Sequence, residues 1–340
     1  PHTLVTKGNL NNDIGLPLTL LKLNAGDRLA VVELGMNHPG ETAQLAAIAQ
    51  ANIALINNAQ REHQEFMTNV EMVAKEHALA IEALPARGVA VFPADSEYSS
   101  YWREVAGGRR VVTFAWGVDA GADVVGRWVS TQNHVIAIDT ALGAIEVQLN
   151  ILGEHNAKNA LAATAVAIAA GIDLGDIKAG LEAFNPVNGR MQSHQVGNTT
   201  VIDDSYNANP DSVRAAIEAL NQSGNRSWLI LGDMGEVGDQ GPEFHREVGA
   251  YAASQGVNKL FALGEQSQHA ITGFEETKKS SSVSASHFSD MDQLITQLRH
   301  ELQRQLTHGN QHVNILVKGS RFMRMERVVQ ALLEEAKACS

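Results

Sequence analysis

The sequence contains very little cysteine, since Cys339 is the only one among its 340 residues. A single thiol excludes an intramolecular disulfide framework and favours a reducing compartment, so we expect a cytoplasmic protein. The most apolar long run, residues 160–172, is rich in alanine and is far shorter than the ~20 residues of a membrane-spanning helix. No signal peptide is recognisable either. These absences argue against secretion and against membrane insertion.

Positive charge is also scarce. The chain has 26 Lys and Arg residues and 38 Asp and Glu residues, which gives a net charge of -12 and a pI near 5.5. This balance argues against a broad surface for nucleic acid or anionic lipid, so anionic ligands would need local sites. Two nucleotide-binding motifs are missing as well. No Gly-Lys pair occurs, which excludes a P-loop in these residues, and no Gly-x-Gly-x-x-Gly opens a helix after a strand.

The chain is too long for one average domain and predicts two cores. Its first part alternates strand-like and helical patterns, which predicts an α/β domain with a mostly parallel, doubly wound sheet. The strand-like runs are residues 30–34, 53–56 and 89–92, and the helical patterns are residues 42–50 and 70–84. Between residues 111 and 149 shorter runs, at 135–138 and 145–149, suggest an antiparallel meander. Alanine-rich helices are expected at 156–170 and 174–183.

Residues 185–190, Asn-Pro-Val-Asn-Gly-Arg, have the composition of a linker, because proline and glycine end helices. We place the domain boundary there, with one domain at 1–187 and the other at 188–340. After the boundary the alternation of strands and helices restarts, with strands expected at 201–202, 228–231, 259–262 and 315–317. This pattern predicts a second, Rossmann-like domain.

The most informative segment runs from Asp203 to Ser212 and reads Asp-Asp-Ser-Tyr-Asn-Ala-Asn-Pro-Asp-Ser. It follows an apolar pair, and Pro210 can begin a helix, so the segment is predicted to be a strand-to-helix turn. In open α/β sheets, ligands bind at such turns beyond the carboxyl ends of strands. Asp, Asn and Pro are equally favoured in ordinary capped turns. The residues alone therefore support a helix cap and a ligand site about equally.

Glu33 and His63 are candidate metal ligands. Glu33 ends the run 30–34, and burying a carboxylate without a partner is costly, so a cation or a hydrogen-bonding cage is expected around it. His63 follows the next predicted strand, and both side chains could converge above adjacent strands. Mg²⁺ prefers carboxylate and water over imidazole, however, and a histidine on a loop is more often structural.

Two other segments bring cations together with amides or place them at a strand end. The turn from Thr6 to Asp13 contains one lysine and three asparagines, which suits either a carboxylate or phosphate clamp or a plain polar loop. Residues 318–321, Lys-Gly-Ser-Arg, follow the last apolar strand. Two cations at a carboxyl end fit anion recognition, but they are also common on a solvated rim.

Together these segments resemble the Mur ligase superfamily, and within it the branch that adds a D-alanyl-D-alanine dipeptide. The matching stretches are residues 6–20, 33–41, 153–163, 189–190, 203–212, 231–236 and 317–321, in the order of the family. The first and the fifth separate this branch from its sister ligases. The resemblance implies an ATP-dependent amide ligase of peptidoglycan precursor synthesis. ATP would activate the terminal carboxylate of a UDP-MurNAc-tripeptide (UDP-N-acetylmuramoyl tripeptide) as an acyl phosphate, and the amine of D-Ala-D-Ala would displace the phosphate.

The family is built from a uridine-nucleotide-binding domain, a central ATPase domain and a Rossmann-like C-terminal domain. By resemblance, residues 1–187 correspond to the central domain from a point after its P-loop, and residues 188–340 correspond to the C-terminal domain. We therefore expect a fragment that lacks the phosphate-binding lysine and is inactive by itself. We also expect a cytoplasmic monomer that binds small-molecule substrates, without nucleic-acid binding or membrane insertion.

The resemblance also implies roles for particular residues, with ATP and Mg²⁺ as cofactors. The metal positions are Glu33 and His63, and the residues counted as catalytic are these two with Lys318 and Arg321. The expected nucleotide contacts are Asn159, Arg190, Asp204, Tyr206 and Asn207. The expected contacts with the muramoyl peptide are Lys7, Asn9 and Asn12. Lys318 and Arg321 would lie near the incoming dipeptide or the acyl phosphate.

The chain departs from the family at one position on the helix after His63. The family usually has a carbamylated lysine there that bridges to the second Mg²⁺, and alignment of residues 71–74 puts His77 at that position instead of Lys75. Residues two apart on a helix point in different directions, so Lys75 cannot simply substitute. Either the second metal is held differently, or the alignment is shifted by two residues.

Three alternatives remain open. A sister Mur enzyme or a folylpolyglutamate synthetase would share the central pattern, but the segments at 6–12 and 203–210 disfavour it. A noncatalytic nucleotide- or peptide-binding relative would explain the missing P-loop. An NAD-dependent oxidoreductase is the weakest alternative, because its glycine motif is absent.

Overall fold

The computed structural model describes residues 2–117, 121–222, 224–308 and 311–338, and Cys339 lies outside these ranges. The chain divides into two compact units. Unit 1 consists of Pro1–Arg127, Ala137–Val147 and Lys158–Gly180, and unit 2 of Trp128–Ile136, Gln148–Ala157 and Leu181–Ser340. The predicted boundary between residues 187 and 188 stays a prediction.

The first part of the chain contains two sheets. Strands β1 (His2–Val5) and β2 (Asp27–Val31) pair in parallel, with helix α1 (Gly15–Leu20) between them in the sequence. The second sheet has six strands in sequential order. Its strands are β3 (Ile53–Leu55), β4 (Val89–Pro93), β5 (Arg110–Trp116), β6 (Val124–Ser130), β7 (Val135–Thr140) and β8 (Gly143–Gln148). The helices are α2 (Glu41–Ala49), α3 (Val70–Glu82), α4 (Ser99–Ala106), α5 (Glu154–Ala169) and α6 (Leu174–Ala183).

The pairing in this sheet confirms a mostly parallel α/β fold. Strands β3 to β6 pair in parallel. Residues 131–134 join β6 to β7, and residues 141–142 join β7 to β8. Such short links can only connect antiparallel neighbours, so the antiparallel part begins after β6. The predicted meander from residue 111 thus extends over fewer strands than expected, because β5 pairs in parallel with β6.

The core of unit 1 lies between α3, α4 and β4. All five residues of β4 are buried, as a parallel strand covered on both faces requires. Phe92 and Trp102 are fully buried with ring centroids 5.9 Å apart. The indole of Trp102 donates a hydrogen bond of 3.0 Å to the carbonyl of Ala74 on α3. The buried polar tip is therefore satisfied, and α4 is anchored to α3.

Unit 2 contains a six-stranded sheet in the order β13-β12-β11-β14-β10-β9. Its strands are β9 (Gln192–Val196), β10 (Thr199–Asp204), β11 (Arg226–Gly232), β12 (Lys259–Leu263), β13 (Ser284–Phe288) and β14 (Val313–Lys318). Its helices are α7 (Pro210–Asn221), α8 (Gly241–Ser254), α9 (Gln268–Thr277), α10 (Met291–His308) and α11 (Glu326–Ala338). All neighbours pair in parallel except β9, which is antiparallel to β10. The predicted Rossmann-like arrangement is confirmed.

The carboxyl ends of β10 and β11 lie on either side of the end of β14. Lys318, the last residue of β14, is in register with Asp204 of β10 and with Leu231 of β11. The loops that follow these three strands consequently share one edge of the sheet, where ligands bind in open α/β folds.

Helices α8 and α9 approach each other unusually closely through two glycines. A Cβ atom added to Gly249 would lie 1.9 Å from the carbonyl oxygen of Ala270, and one added to Gly273 would lie 2.0 Å from that of Arg246. No larger side chain fits at either position without moving the backbone.

A search of the described residues for helices that could cross a bilayer finds none that is both long enough and apolar enough.

Candidate functional site

The turn between β10 and α7 uses some of its polar side chains to hold its own backbone. Asp203 is buried, and its Oδ1 accepts hydrogen bonds from the amide of Ser205 (3.1 Å) and from its hydroxyl (2.6 Å). Asn209 caps α7, because its Oδ1 accepts from the amide of Ser212 (2.8 Å) while the Ser212 hydroxyl accepts from the amide of Asn209 (3.0 Å). Pro210 occupies the first turn of the helix. These residues account for the capped-turn interpretation.

Other side chains of the same turn point outward. Tyr206 is half-buried and Asn207 is exposed. The guanidinium of Arg190 lies over the Tyr206 ring, 4.4 Å from its centroid, and that of Arg321 lies 5.9 Å from it. Arg190 and Arg321 are exposed, so two cations flank one aromatic ring at the solvent surface. The turn is both a helix cap and a cationic, aromatic surface suited to an anionic ligand.

The backbone before β9 is fixed to this turn. Gly189 has a φ of +76°, and its carbonyl accepts a hydrogen bond from the amide of Tyr206 (3.0 Å). A Cβ at Gly189 would lie 3.1 Å from that amide nitrogen, so glycine permits the close approach. The amide of Met191 donates to Oδ1 of Asp204 (3.1 Å). Arg190 is therefore held between two backbone contacts with the turn.

Lys318 and Arg321 have different surroundings. Lys318 is only 3% exposed, and its ammonium donates to Oδ2 of Asp204 (2.5 Å) and to the carbonyl of Asn207 (3.0 Å). Arg321 begins an exposed 3-10 turn, Arg321–Met323, and its Nη1 lies 3.3 Å from Oε1 of Glu326. The expected substrate contacts of both residues stay predictions.

Ser320 is a buried residue of this edge that the sequence did not single out. Its hydroxyl accepts from the amide of Gly235 (2.7 Å) and donates to the carbonyl of Ala208 (3.1 Å), and its amide donates to the carbonyl of Asp233 (3.0 Å). It thus joins the loops after β10, β11 and β14. Its place in the Lys-Gly-Ser-Arg segment was the only signal in the sequence.

In unit 1, Glu33 does not end a strand as predicted. Strand β2 ends at Val31, and Glu33 is exposed in the following loop. Backbone amides of this loop form hydrogen bonds outside the β1–β2 pairing. The amide of Glu33 donates to the hydroxyl of Thr6 (2.9 Å), and the amide of Gly35 donates to the carbonyl of Asn11 (2.9 Å). The expectation of a buried carboxylate at Glu33 was wrong.

Asn11 holds the Glu33 carboxylate, since its Nδ2 donates to Oε1 at 2.8 Å. Asn11 lies within the predicted polar turn but was not among the candidate residues. Of those candidates, Lys7 and Asn9 are exposed, and Oδ1 of Asn12 accepts from the amide of Gly15 (2.8 Å) at the start of α1. The Asn12 side chain therefore satisfies the amide of the first residue of α1, besides any role in binding substrate.

His63 lies in the loop before α3 with a φ of +51°, and its carbonyl accepts from the amides of Phe66 and Met67. Asn159, exposed on α5, accepts a hydrogen bond of 2.8 Å from the side chain of Asn57, which follows β3. The sequence had marked Asn57 only as a strand end. The contact between Asn57 and Asn159 was not predictable from periodicity, because the two residues are 102 positions apart.

The structure separates the two candidates for the carbamylated position. Lys75 is exposed and pairs with Glu71 one turn earlier on α3, with 2.6 Å between Nζ and Oε1. Nε2 of His77 lies 3.2 Å from Oε1 of Glu62, in the loop that carries His63. Only His77 of these two faces that loop, as expected for positions two apart on a helix.

Two carboxylates fix the loop before α2. Glu76 is buried on α3, and its oxygens accept from the amides of Gly40 and Thr42, both at 2.9 Å. Oε2 of Glu41 accepts from the amides of Asn37 (2.7 Å) and His38 (3.2 Å). The hydrogen bond from the Asn37 amide, with those from His38, lowers the pKa of Glu41. Glu76 thus satisfies amides that the N-terminus of α2 leaves without internal partners, whereas Glu41 satisfies amides of the preceding loop.

The described residues contain no group of three or more His, Cys, Asp or Glu side chains placed to hold a metal. A fully protein-bound metal is thus not supported there. Mg²⁺ commonly binds through one or two carboxylates together with water and substrate phosphates. The exposed Glu33 carboxylate, oriented by Asn11, fits this second mode.

Comparisons with known proteins cover both units. The family model described as "Mur ligase middle domain" matches residues 2–167, and "Mur ligase, glutamate ligase domain" matches residues 189–321. The chain is 38% identical to the UDP-N-acetylmuramoyl-tripeptide--D-alanyl-D-alanine ligase of Escherichia coli, over 98% of this chain and 71% of the relative. Identity to the ligase of the same name from Haemophilus influenzae is also 38%, over 98% and 70%. A crystal structure of MurF from Acinetobacter baumannii has a TM-score of 0.89 at 32% identity, over 98% and 71% of the two chains.

Proposed function

The chain belongs to the Mur ligase family, and we propose on this basis that it acts in the ATP-dependent addition of D-Ala-D-Ala to UDP-MurNAc-tripeptide. The observation that carries the proposal is its 38% identity to the Escherichia coli ligase over 98% of the chain. The outward side chains of the turn after β10 support it, because they form a cationic and aromatic surface where α/β folds bind nucleotides.

The proposed reaction proceeds in two steps. A carboxylate is a poor electrophile, so one of its oxygens first attacks the γ-phosphorus of ATP, which gives an acyl phosphate and ADP. The amine of D-Ala-D-Ala then attacks the acyl carbon. The C–O bond to phosphate breaks, the amine loses a proton, and an amide and inorganic phosphate remain. The protein's contribution to the first step is positioning and placement of positive charge.

Unit 2 supplies the following nucleotide contacts in this proposal. Arg190 neutralises phosphate oxygens, Tyr206 and Asn207 offer a ring and an amide beside it, and Asp204 accepts from the ribose. Stacking of Arg190 on Tyr206 favours a fixed guanidinium orientation, which suits the planar geometry of phosphate recognition. Arg321, exposed beside the same ring, provides charge for the dipeptide carboxylate or the acyl phosphate.

Unit 1 supplies contacts of its own. We assign Asn159 to the adenine and Lys7, Asn9 and Asn12 to the muramoyl peptide. Glu33 and His63 would hold Mg²⁺ with water and phosphate oxygens, and the ion supplies charge that stabilises the transferring phosphoryl group. We further propose a cytoplasmic monomer.

The 340-residue chain by itself should not ligate, because it contains no Gly-Lys pair and thus no P-loop lysine. The test is a ligation assay on this chain and on the product of the complete reading frame that encodes it. UDP-MurNAc-tripeptide, ATP, Mg²⁺ and D-Ala-D-Ala are supplied, product mass and phosphate release are measured, and L-Ala-L-Ala is the matched substrate control.

The complete product should form one amide per phosphate with D-Ala-D-Ala and far less with L-Ala-L-Ala. No ligation by the complete product would refute the proposed function. Full ligation by the 340-residue chain would refute only the role assigned to the missing P-loop lysine.

A further inference from the structure

Lys318 is a buried cation that connects the end of β14 to the turn after β10. It is 3% exposed and has two protein acceptors, Oδ2 of Asp204 and the carbonyl of Asn207. Both acceptors belong to the turn after β10, whereas Lys318 ends the neighbouring strand β14. Burying an ammonium is tolerated only when it is paired and hydrogen-bonded, as here.

Such surroundings do not suit direct contact with the dipeptide. A lysine that binds a substrate carboxylate needs an ammonium group that the substrate can reach, and only a small part of Lys318 is accessible. Arg321, three residues later, presents an exposed cation on the same side of the unit 2 sheet. Substrate contact at this strand end is thus better assigned to Arg321 than to Lys318.

Asp204 connects Lys318 to the segment that carries Arg190, one of the residues proposed to bind the nucleotide. While Oδ2 pairs with Lys318, Oδ1 accepts from the amide of Met191. The amide of Tyr206 donates to the carbonyl of Gly189 in the same segment. Arg190 lies between these two anchor points, with its guanidinium over the ring of Tyr206.

We propose that Lys318 is a positioning residue that, through Asp204 and the Asn207 carbonyl, fixes Arg190 and Tyr206 in the orientation in which they receive the nucleotide. The inference rests on the proposed function for the identity of the ligand. The connection from Lys318 to the segment 189–191 rests on the hydrogen bonds alone.

The first experiment uses the 340-residue chain and measures amide hydrogen exchange. Lys318→Met keeps an unbranched side chain, one atom shorter, and removes its charge. We expect exchange at the amides of Met191 and Tyr206 to become about tenfold faster or more, since the anchor of Asp204 is lost. Lys259→Met is the matched control, because Lys259 also forms an ion pair on a strand of this sheet, with Glu301, but at the opposite strand end. It should leave both amides within about twofold of the wild type.

A second variant keeps the test decisive if Lys318→Met does not fold. In Lys318→Met with Asp204→Asn, no buried charge is left without its partner. Exchange at Met191 and Tyr206 should again be faster than in the control. Unchanged exchange at both amides in the folded variants would overturn the proposal.

The second experiment is the ligation assay on the complete product carrying Lys318→Met. A positioning role predicts a KM for ATP raised about tenfold or more, with the KM for D-Ala-D-Ala within about twofold. The reverse pattern, a raised KM for the dipeptide alone, would assign Lys318 to the dipeptide and overturn the proposal. If the wild type does not ligate, the proposed function fails, and the exchange experiment still decides whether Lys318 orders the segment 189–191.

Discussion

Replacing Glu76 should loosen the start of α2. Its buried carboxylate is the acceptor for two backbone amides, those of Gly40 and Thr42, and it reaches them from a helix 34 to 36 residues later in the chain. In Glu76→Gln one oxygen becomes an NH₂ group, so one of the two amides faces a donor instead of an acceptor. The shape of the side chain is kept, which isolates the hydrogen bonds from packing.

The size of the effect follows from the two contacts. A buried donor left unsatisfied costs about 1–3 kcal/mol, and the remaining bond loses the strength that a charged acceptor adds. We expect the free energy of unfolding of unit 1 to fall by about 2–3 kcal/mol. With a urea dependence of about 2 kcal/mol per molar, the unfolding midpoint should fall by about 1 M.

The assay is urea unfolding followed by hydrogen exchange of the peptide that covers residues 37–46. Glu71→Gln is the control, because Glu71 lies on the same helix but is exposed and pairs with the exposed Lys75. It should change the midpoint little, since exposed pairs of this kind add little stability. Equal midpoints for the two variants, with unchanged exchange in residues 37–46, would refute the assignment of Glu76 as the anchor of α2.

Three further predictions concern stability. Gly249→Ala should destabilise unit 2 by about 3 kcal/mol, because its Cβ would overlap the carbonyl of Ala270. Gly180→Ala is the control: a Cβ there meets open space on α6, and the change should stabilise the protein by about 0.5–1 kcal/mol. Thermal unfolding of the two variants measures both effects. Asn209→Ala should cost about 1 kcal/mol through loss of the α7 cap, and unchanged urea midpoints would contradict this. Burial lowers the pKa of His245 from its usual 6.5, so the unfolded chain binds more protons as the pH falls below that value. The stability advantage of the wild type over His245→Gln should therefore shrink below pH 6.5, as measured by urea unfolding at several pH values.

Periodicity and turn composition predicted the alternation of strands and helices well, because these signals are local. The strands at residues 228–231 and 259–262 lie inside β11 and β12, and Pro210 begins α7 as expected. Both strands are almost entirely buried, so a run of at least three consecutive apolar residues was a sufficient signal for each.

The surroundings of the charged residues were not predictable in the same way. The sequence predicts a strand end at Glu33, but the strand ends at Val31, and Glu33 instead contacts Thr6 and Asn11, 27 and 22 residues away. The sequence predicts a solvated or substrate-facing cation at Lys318, and its burial depends on two acceptors 114 and 111 residues earlier. Side-chain partners from distant segments decide such cases, and composition does not encode them.

The pairing of Asp204 with Lys318 also bears on how unit 2 folds. Strand β14 is the last strand of the chain, yet it lies between β10 and β11, so no short turn sets its alignment with either neighbour. A shift of β14 by one residue would turn its side chains to the opposite face of the sheet and leave two charges buried apart from each other. The ion pair thus penalises misaligned pairings and favours the native alignment when the final strand joins the sheet.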